Sequence, residues 1–224
     1  MINDKKVLSL FSSPAALNLK NNPFNLEVGT LGVPEFKTNL AQKMLTTTHP
    51  KTFNDLLIIS GLAHGTNVWG NNAEDLINSG TATLQEVIGC RDDIMNYLIS
   101  MGLPEKTSFD IMETVRKGKK LTPEYEELMR KHGVPEYYIK SCKKIKYLFP
   151  RAHATAYVTM AIRVASFKLY HPLDFYSAYF SVRSTDWDIK TMCDGEEAII
   201  AKLQEFKRRE RTKGESLKAK EEEI

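Results

Sequence analysis

Cationic and aromatic side chains surround a single proline in residues 143–163, which read KKIKYLFPRAHATAYVTMAIR. Proline fits the first turn of a helix but not its interior, so Pro150 is predicted to end one helix and to begin another. Arg151 and His153 would then lie at a helix N-terminus, where unpaired N–H groups and the helix dipole favour phosphate. Tyr157, one turn beyond His153, would line the same site. The pattern predicts a phosphate-binding pocket, and a packed structural histidine is the alternative.

A row of lysines precedes this proline. Lys140, Lys143, Lys144 and Tyr147 are spaced three and four residues apart, which places them on one face if a single helix carries all four. Ammonium groups beside an aromatic ring suit a polyanion whose bases can stack. A solvated basic face without a partner is the alternative interpretation.

A second basic cluster lies in residues 114–120, which read TVRKGKK. Glycine here is typical of the end of a helix, and cations at that end are stabilised by the helix dipole. The same cations are candidates for contact with phosphate, namely Arg116, Lys117, Lys119 and Lys120.

Two adjacent carboxylates follow Arg91 in residues 88–95, which read IGCRDDIM. Aspartates at such a position are typical of helix N-capping, although they also suggest a metal site. Neighbouring side chains on a helix diverge, so Asp92 and Asp93 are poor joint ligands of a metal ion.

Residues 60–69 read SGLAHGTNVW, in which two glycines flank Leu62, Ala63 and His64. Glycines at this spacing predict a loop that ends at Trp69 as an anchor. His64 is a candidate for ligand contact or for a turn cap. The sequence contains no P-loop, no GxGxxG, no HExxH and no cysteine pair at zinc spacing.

The elements that would position these groups are mainly helical. Apolar residues recur three and four apart, as in Val158, Ile162, Ala165 and Leu169. No stretch alternates steadily between apolar and polar residues, so at most one short strand is expected. The pattern predicts a mainly α fold.

Helix starts and segment boundaries follow from local signals. A capping-box pattern at Thr83 and Glu86 and an N-cap with proline at Thr122 and Pro123 predict two helix starts. Residues 1–37 are expected to be irregular after a short helix near residues 5–11, residues 38–188 to be helical, and residues 189–224 to form a charged helical segment that ends as if truncated.

Composition sets the broad class. The chain has 224 residues, 42% of them hydrophobic and 26% charged, and a net charge of only +3, so a nucleic-acid partner can be argued only from clustered cations. Cys90, Cys142 and Cys193 are odd in number and widely spaced, which is typical of a reduced, cytoplasmic protein. No apolar run approaches the roughly 20 residues that span a bilayer, so no membrane partner is expected.

Taken together, the motifs resemble the fingers region of PolC-type DNA polymerase III, the alpha subunit of family C replicative DNA polymerases. The resemblance is carried by SGLAHGTNVW, EVIGCRDDIM, VRKGK with LTPE, MRKHGVPEYYIKSCKKIKYLFPRAHATAYV and KLYHPLDFYSAYFSVR, and it extends from about residue 4 to about residue 188. It implies a multi-helix fingers domain with an irregular N-terminal segment leading out of the palm.

The resemblance also implies a role in template-directed addition of dNTPs to a primer 3′ end, with this chain binding the incoming triphosphate and primer-template DNA. The residues implied for nucleotide binding are Arg91, Lys146, Tyr147, Arg151, His153 and Tyr157. Those implied for DNA binding are His64, Arg116, Lys117, Lys119, Lys120, Lys140, Lys143 and Lys144.

In this family Mg²⁺ is bound by acidic palm residues, which would lie upstream of Met1. No catalytic or metal-binding residue is therefore expected in this chain, and the chain alone is expected to be inactive, because phosphoryl transfer needs the metal ions. A sliding clamp and other replisome proteins would bind other parts of the full-length protein. A freestanding helical nucleic-acid-binding module without catalysis is the alternative.

Three positions depart from the family pattern. Ala63 stands where serine is common, Asn67 where aspartate is common, and Lys37 where glycine is common. The first two departures remove a hydroxyl and a carboxylate near the predicted nucleotide pocket, where contacts to a nucleotide or an inhibitor would change.

Overall fold

The computed structural model describes residues 2–20, 22, 25–183, 185 and 187–213, and this part of the chain contains twelve α-helices. They are α1 (Lys5–Ser9), α2 (Asn39–Thr48), α3 (Phe53–His64), α4 (Glu74–Asn78), α5 (Arg91–Ser100), α6 (Glu105–Arg116), α7 (Pro123–Lys131), α8 (Glu136–Lys144), α9 (Arg151–Tyr170), α10 (Pro172–Arg183), α11 (Ile189–Cys193) and α12 (Glu196–Lys213). Within these ranges there is no strand, only two isolated backbone bridges. The mainly α prediction is confirmed.

Helix starts follow the capping signals closely. Thr122 caps α7 by accepting a hydrogen bond from the backbone of Tyr125, and Pro123 occupies the first helical position, as predicted. α3 begins with a full capping box, in which Thr52 accepts from the Asp55 N–H while the Asp55 carboxylate accepts from the Thr52 N–H. Such caps stabilise a helix by about 1 kcal/mol each.

The predicted helix start at Thr83 is wrong. The Glu86 carboxylate does accept hydrogen bonds from both the backbone N–H and the hydroxyl of Thr83, but these residues form a turn. The physical reason lies in the next few residues. Gly89 packs so closely on α3 that a Cβ atom there would lie 3.0 Å from the Ile58 side chain, and a continuing helix would prevent this approach.

Two helices form the centre of the molecule. α3 is buried along its length from Leu56 to Leu62, as expected for a helix that is apolar on all sides. α9, the longest helix in the described ranges, packs against it through a buried stripe that includes the predicted Val158, Ile162 and Ala165. Because packing fixes both helices, polar groups at their ends are held in fixed positions.

The N-terminal segment contributes to the same core. Val7, Leu10 and Phe11 are fully buried, and the Phe11 ring meets Phe36 edge-on at 5.0 Å between centroids. Burying a phenylalanine side chain is worth about 1.5–3 kcal/mol. The loop after α1 is therefore held firmly beside α9, while the predicted domain division after residue 37 stays a prediction.

The described part of the charged C-terminal segment consists of α11 and α12, and the predicted remainder of that segment lies outside the described residues. Cys90 and Cys142 are buried free thiols, and loss of hydration raises the pKa of each to about 12. No helix in the described ranges is both long enough and apolar enough to cross a membrane.

Candidate functional site

A short extended segment, residues 145–150, connects the elements that carry the predicted site. The Thr66 N–H donates to the Tyr147 carbonyl at 3.0 Å, and the Lys146 N–H donates back to the Thr66 carbonyl at 3.0 Å. On the next residues, the Arg91 N–H donates to the Phe149 carbonyl at 3.1 Å. The segment therefore ties the C-terminal end of α3 to the N-terminal end of α5 immediately before α9 begins.

This arrangement corrects the predicted shared face of Lys140, Lys143, Lys144 and Tyr147. α8 ends at Lys144, and Ile145 already has an extended backbone, with φ −63° and ψ 135°. The hydrogen bonds to Thr66 and the burial of Ile145 hold the chain out of the helix. Tyr147 is 42% exposed and lies on the extended segment, so only the three lysines belong to α8.

The prediction of a loop over residues 60–69 is wrong for its first half. Ser60 to His64 form the last turn of α3, and the loop begins at Gly65. Gly61 is needed for packing, because a Cβ atom on it would lie 2.4 Å from the Gly89 carbonyl oxygen of the segment that leads into α5. His64 thereby comes to the end of a buried helix beside the extended segment.

The two basic clusters of the sequence meet at Gly118. This glycine has a φ of +65°, and a Cβ atom on it would lie 2.5 Å from the carbonyl oxygen of Lys146. The loop after α6, which carries Lys119 and Lys120, thus packs directly on residues 145–150. Clusters that are well separated in the sequence form one surface.

Four rings form a continuous row along this surface, and we call His64, Phe149, His153 and Tyr157 the aromatic ladder. The ring centroids of His64 and Phe149 are 4.8 Å apart and nearly parallel, at 24°. Phe149 meets His153 edge-on at 5.3 Å, and His153 lies 5.0 Å from Tyr157. The predicted neighbours His153 and Tyr157 are brought together.

Phe149 was not among the site residues predicted from the sequence. Its position four residues before His153 is the usual spacing of side chains that touch on a helix, and this spacing was the available signal. Pro150, between the two residues, indicated a helix boundary, so a contact between Phe149 and His153 was not predicted.

Arg151 is held by protein groups on two other helices. Its guanidinium lies 2.6 Å from the Asp93 carboxylate of α5 and also donates to the Asn54 side chain of α3. The side chain is 35% exposed, so part of it remains accessible to solvent. Arg151 thus fixes the N-terminus of α9 to α3 and α5, whatever else it binds.

Asp92 and Asp93 both cap helices, which confirms capping as their structural role. Asp93 accepts from the backbone N–H groups of Gly89 and Cys90 at the start of α5. Asp92 accepts from the Arg151 N–H at 2.9 Å and so caps α9. No group of three or more His, Cys, Asp or Glu side chains suited to a metal ion occurs in the described ranges.

Several predicted phosphate-binding cations already have protein partners. Glu113 pairs with Arg116 at 2.7 Å and with Lys117 at 2.9 Å, and hydrogen bonds from these two side chains lower the pKa of Glu113 to about 2. Lys143 pairs with Glu126 at 2.8 Å, and the Lys144 ammonium donates to the Asn71 carbonyl.

Other predicted cations are less closely paired with carboxylates. The side chains of Lys119, Lys120, Lys140 and Lys146 form no ion pair or hydrogen bond with described residues. Arg91 lies 3.8 Å from Asp92, and its buried Nε atom has no hydrogen bond in the described part of the chain. Lys119, Lys120 and Lys146 therefore carry positive charge that is free to bind a ligand. Lys140 interacts electrostatically with the Glu136 carboxylate, and Arg91 is paired with Asp92.

His64, predicted to contact DNA, has both ring nitrogens directed at protein atoms. Nδ1 lies 2.7 Å from the Ser60 carbonyl oxygen, and Nε2 lies 2.9 Å from the Glu35 carboxylate. Its DNA contact stays a prediction, and in the structure the ring contacts Ser60 and Glu35 of the protein itself.

The departures at Ala63 and Asn67 lie on a separate cavity of about 340 Å³ beside α3. The Lys43–Glu74 ion pair, 2.7 Å long, and the Trp69 ring also line it. The missing hydroxyl and carboxylate would therefore face this cavity rather than the aromatic ladder.

Comparisons with known proteins agree with this architecture. Residues 1–134 match the model of the bacterial DNA polymerase III alpha subunit finger domain. The chain is 54% identical over 203 residues to a PolC-type DNA polymerase III of Oceanobacillus iheyensis and 52% identical over 203 residues to that of Bacillus subtilis, with 91% of this chain covered in each case. The PolC-type DNA polymerase III of Clostridium perfringens is 54% identical over 205 residues, or 92% of the chain. The chain spans about 14% of the length of these relatives. It belongs to the family of bacterial DNA polymerase III alpha-subunit finger domains, and within that family it is similar to the PolC type.

Proposed function

We propose that this chain is the fingers portion of a template-directed DNA polymerase and that the surface around residues 145–150 binds the incoming dNTP and primer-template DNA. The observation that carries the proposal is that the basic loop after α6 packs on residues 145–150, the segment that also carries Phe149 of the aromatic ladder and leads into the N-terminus of α9. Free cations, exposed rings and a helix N-terminus in one place suit a ligand that has both phosphates and bases.

The triphosphate would bind at the first turn of α9. The Arg151 N–H is already taken by Asp92, but the N–H groups of Ala152 and His153 have no hydrogen-bond partner among the described residues. Arg91 adds a buried Nε donor at the adjoining end of α5. Preorganised donors of this kind stabilise charge that develops on the phosphates as the bond to the leaving group breaks.

DNA phosphates would bind at the rim of the same surface. Lys119, Lys120, Lys140 and Lys146 are suited to this because their side chains form no ion pair in the described ranges, although Glu136 is near enough to Lys140 for an electrostatic interaction. Tyr147 and Tyr157 are 42% and 45% exposed, and their rings are available to pack against the nascent base pair. Contacts of this type carry little sequence information.

The remaining requirements belong to the full-length protein. We propose that Mg²⁺ is bound by acidic residues outside this chain and that a sliding clamp and other replisome proteins also bind outside it. Location in the bacterial cytoplasm follows from a role on chromosomal DNA. The catalytic activity of the whole protein is part of the same proposal.

The experiment compares variants of the full-length polymerase in single-nucleotide incorporation and in primer-template binding. His153→Ala and Arg151→Ala should lower kcat by about 10²-fold, the usual cost of removing a preorganised donor, with primer-template Kd nearly unchanged. Arg163→Ala is the matched control, since Arg163 is exposed on α9 about 15 Å farther along, at 1.5 Å per residue.

Normal turnover in both variants would refute the assignment of the nucleotide pocket. Loss of DNA affinity with normal turnover would favour the alternative of a nucleic-acid-binding module, because the same surface would then serve binding without chemistry.

A further inference from the structure

Glu35, in the loop between α1 and α2, has an unusual backbone conformation. Its φ is +68°, a region that residues with a Cβ atom seldom occupy. The Oε2 atom is buried and forms no well-directed hydrogen bond with described residues. The closest cationic group is the His64 ring, whose Nε2 lies 2.9 Å from that oxygen. A strained residue therefore delivers a buried carboxylate to the histidine at the base of the aromatic ladder.

The hydrogen-bonding chemistry of His64 makes this contact depend on protonation. Nδ1 faces the Ser60 carbonyl oxygen at 2.7 Å, and a carbonyl can only accept, so Nδ1 carries a proton. Nε2 faces a carboxylate oxygen, which also accepts. The contact is favourable when a proton lies between Nε2 and the carboxylate oxygen.

The loop that carries Glu35 is fixed independently of His64. The buried Thr30 hydroxyl donates to the Phe36 carbonyl at 2.8 Å and closes the loop. The Lys168 ammonium of α9 donates to the Gly29 and Leu31 carbonyls at 3.0 and 2.6 Å. Strain at one residue persists where its surroundings fix the backbone in this way, and such positions are concentrated at functional sites.

The contact also restricts the ladder. The His64 ring lies between the Ser60 carbonyl oxygen at Nδ1 and the Glu35 carboxylate at Nε2, which restricts its rotation, and Phe149 stacks on its plane at 24°. Phe149 in turn meets the edge of His153. Glu35 is thus separated from His153 by only two rings in contact.

We propose that Glu35 and His64 are positioning residues for polymerisation: the contact between them sets the orientation of the aromatic ladder and hence of His153 and Tyr157 at the nucleotide pocket. This inference rests on the proposed function. It assigns to the loop between α1 and α2 a role in turnover, although the loop itself touches no ligand.

The test uses Glu35→Gln and His64→Phe, separately and together, in the full-length polymerase. Glu35→Gln keeps the size and polarity of the side chain but removes its charge, and His64→Phe keeps a ring against Phe149 but cannot pair with Glu35. Each single variant should lower kcat about tenfold while the KM for primer-template stays unchanged, and the double variant should be no slower than the slower single one, since residues in one network are coupled.

Glu27→Gln is the matched control, because Glu27 is an exposed glutamate of the same loop and should keep the unsubstituted rate. Thermal unfolding of each variant is measured alongside, and the rate loss should persist well below the midpoint temperature. If His64→Phe fails to fold because it leaves a buried carboxylate unpaired, Glu35→Gln alone still decides the question.

A normal kcat for Glu35→Gln would overturn the inference, and so would single effects that multiply in the double variant. His153→Ala separates this result from failure of the proposed function. A normal rate for His153→Ala refutes the pocket itself, whereas a slow His153→Ala together with a normal Glu35→Gln refutes only the role of the contact between Glu35 and His64.

Discussion

Lys168 on α9 is a buried cation without a carboxylate partner in the described ranges. Its residue is 2% exposed, and its ammonium donates to two backbone carbonyls of the loop after α1 and lies 5.9 Å from the centre of the Phe175 ring. Loss of hydration disfavours the charged form, and burial lowers the pKa of Lys168 from the ordinary 10.5 to about 8.

This shift predicts an unusual dependence of stability on pH. A base whose pKa is lower in the folded state binds fewer protons there, so between pH 8 and pH 10.5 the unfolded chain is the more protonated state. Raising the pH through this interval therefore favours folding. At about 1.4 kcal/mol per pH unit, Lys168 should add about 3 kcal/mol to the free energy of unfolding across the whole interval. Below pH 8 both states are charged, and the cost of burying the charge remains in full.

The assay is urea denaturation of the unsubstituted chain and of Lys168→Met between pH 7.5 and about pH 9.5, followed by fluorescence of the buried Trp69. Methionine has a similar length and no charge, and titration of all other groups cancels in the difference between the two proteins. That difference should shift in favour of lysine by about 2 kcal/mol between pH 8 and pH 9.5. A constant difference, or a shift in favour of methionine, would refute the reasoning and would mean that the Gly29 and Leu31 carbonyls keep the ammonium charged.

Two further predictions concern the basic surface. Gly118→Ala should lower the free energy of unfolding by about 1–3 kcal/mol more than Gly80→Ala does. Both glycines have positive φ, but only Gly118 lies against the Lys146 backbone. Equal losses of stability in urea denaturation would contradict that packing. Lys119→Ala and Lys120→Ala should each reduce the slope of log affinity against log salt by about one in primer-template titrations of the full-length protein, whereas Lys143→Ala, whose ammonium pairs with Glu126, should leave the slope nearly unchanged. A larger loss for Lys143→Ala would count against this division of the lysines.

Local sequence signals predicted only those contacts of the site that lie within one helix. Pro150 marked the start of α9 correctly, and the spacing of His153 and Tyr157 placed them side by side. The partners of Arg151 lie 58 and 97 residues earlier in the sequence, and no local pattern encodes that pairing. The same holds for Glu35, whose importance depends on the loop conformation and on a helix end that comes later in the chain.

The errors in the fold have a common physical cause, which is tertiary packing that outweighs local preference. Glycine inside a helix costs about 1 kcal/mol relative to alanine, so Gly61 suggested a loop. In the structure its missing side chain lets α3 approach Gly89 closely, and that contact is possible only if the helix continues. Tyr147 lies outside the helix predicted for it, because hydrogen bonds with Thr66 and the burial of Ile145 are more favourable than one more helical turn.

Pairing among the charged residues divides the surface into two kinds of site. Near the first turn of α9, Asp93 pairs with the Arg151 guanidinium and Asp92 accepts from the Arg151 N–H. Under the proposed function, selectivity for a triphosphate would therefore come from donors held in fixed directions rather than from excess charge. At the rim, Lys119 and Lys120 are exposed and are unpaired within the described ranges, which suits a ligand whose phosphates repeat along a strand. Under the proposed function, a substitution that removes a rim charge should therefore act on affinity, while one that moves His153 or its supports should act on rate. The contact between Glu35 and His64 belongs to the second group, because it reaches His153 through the rings of His64 and Phe149.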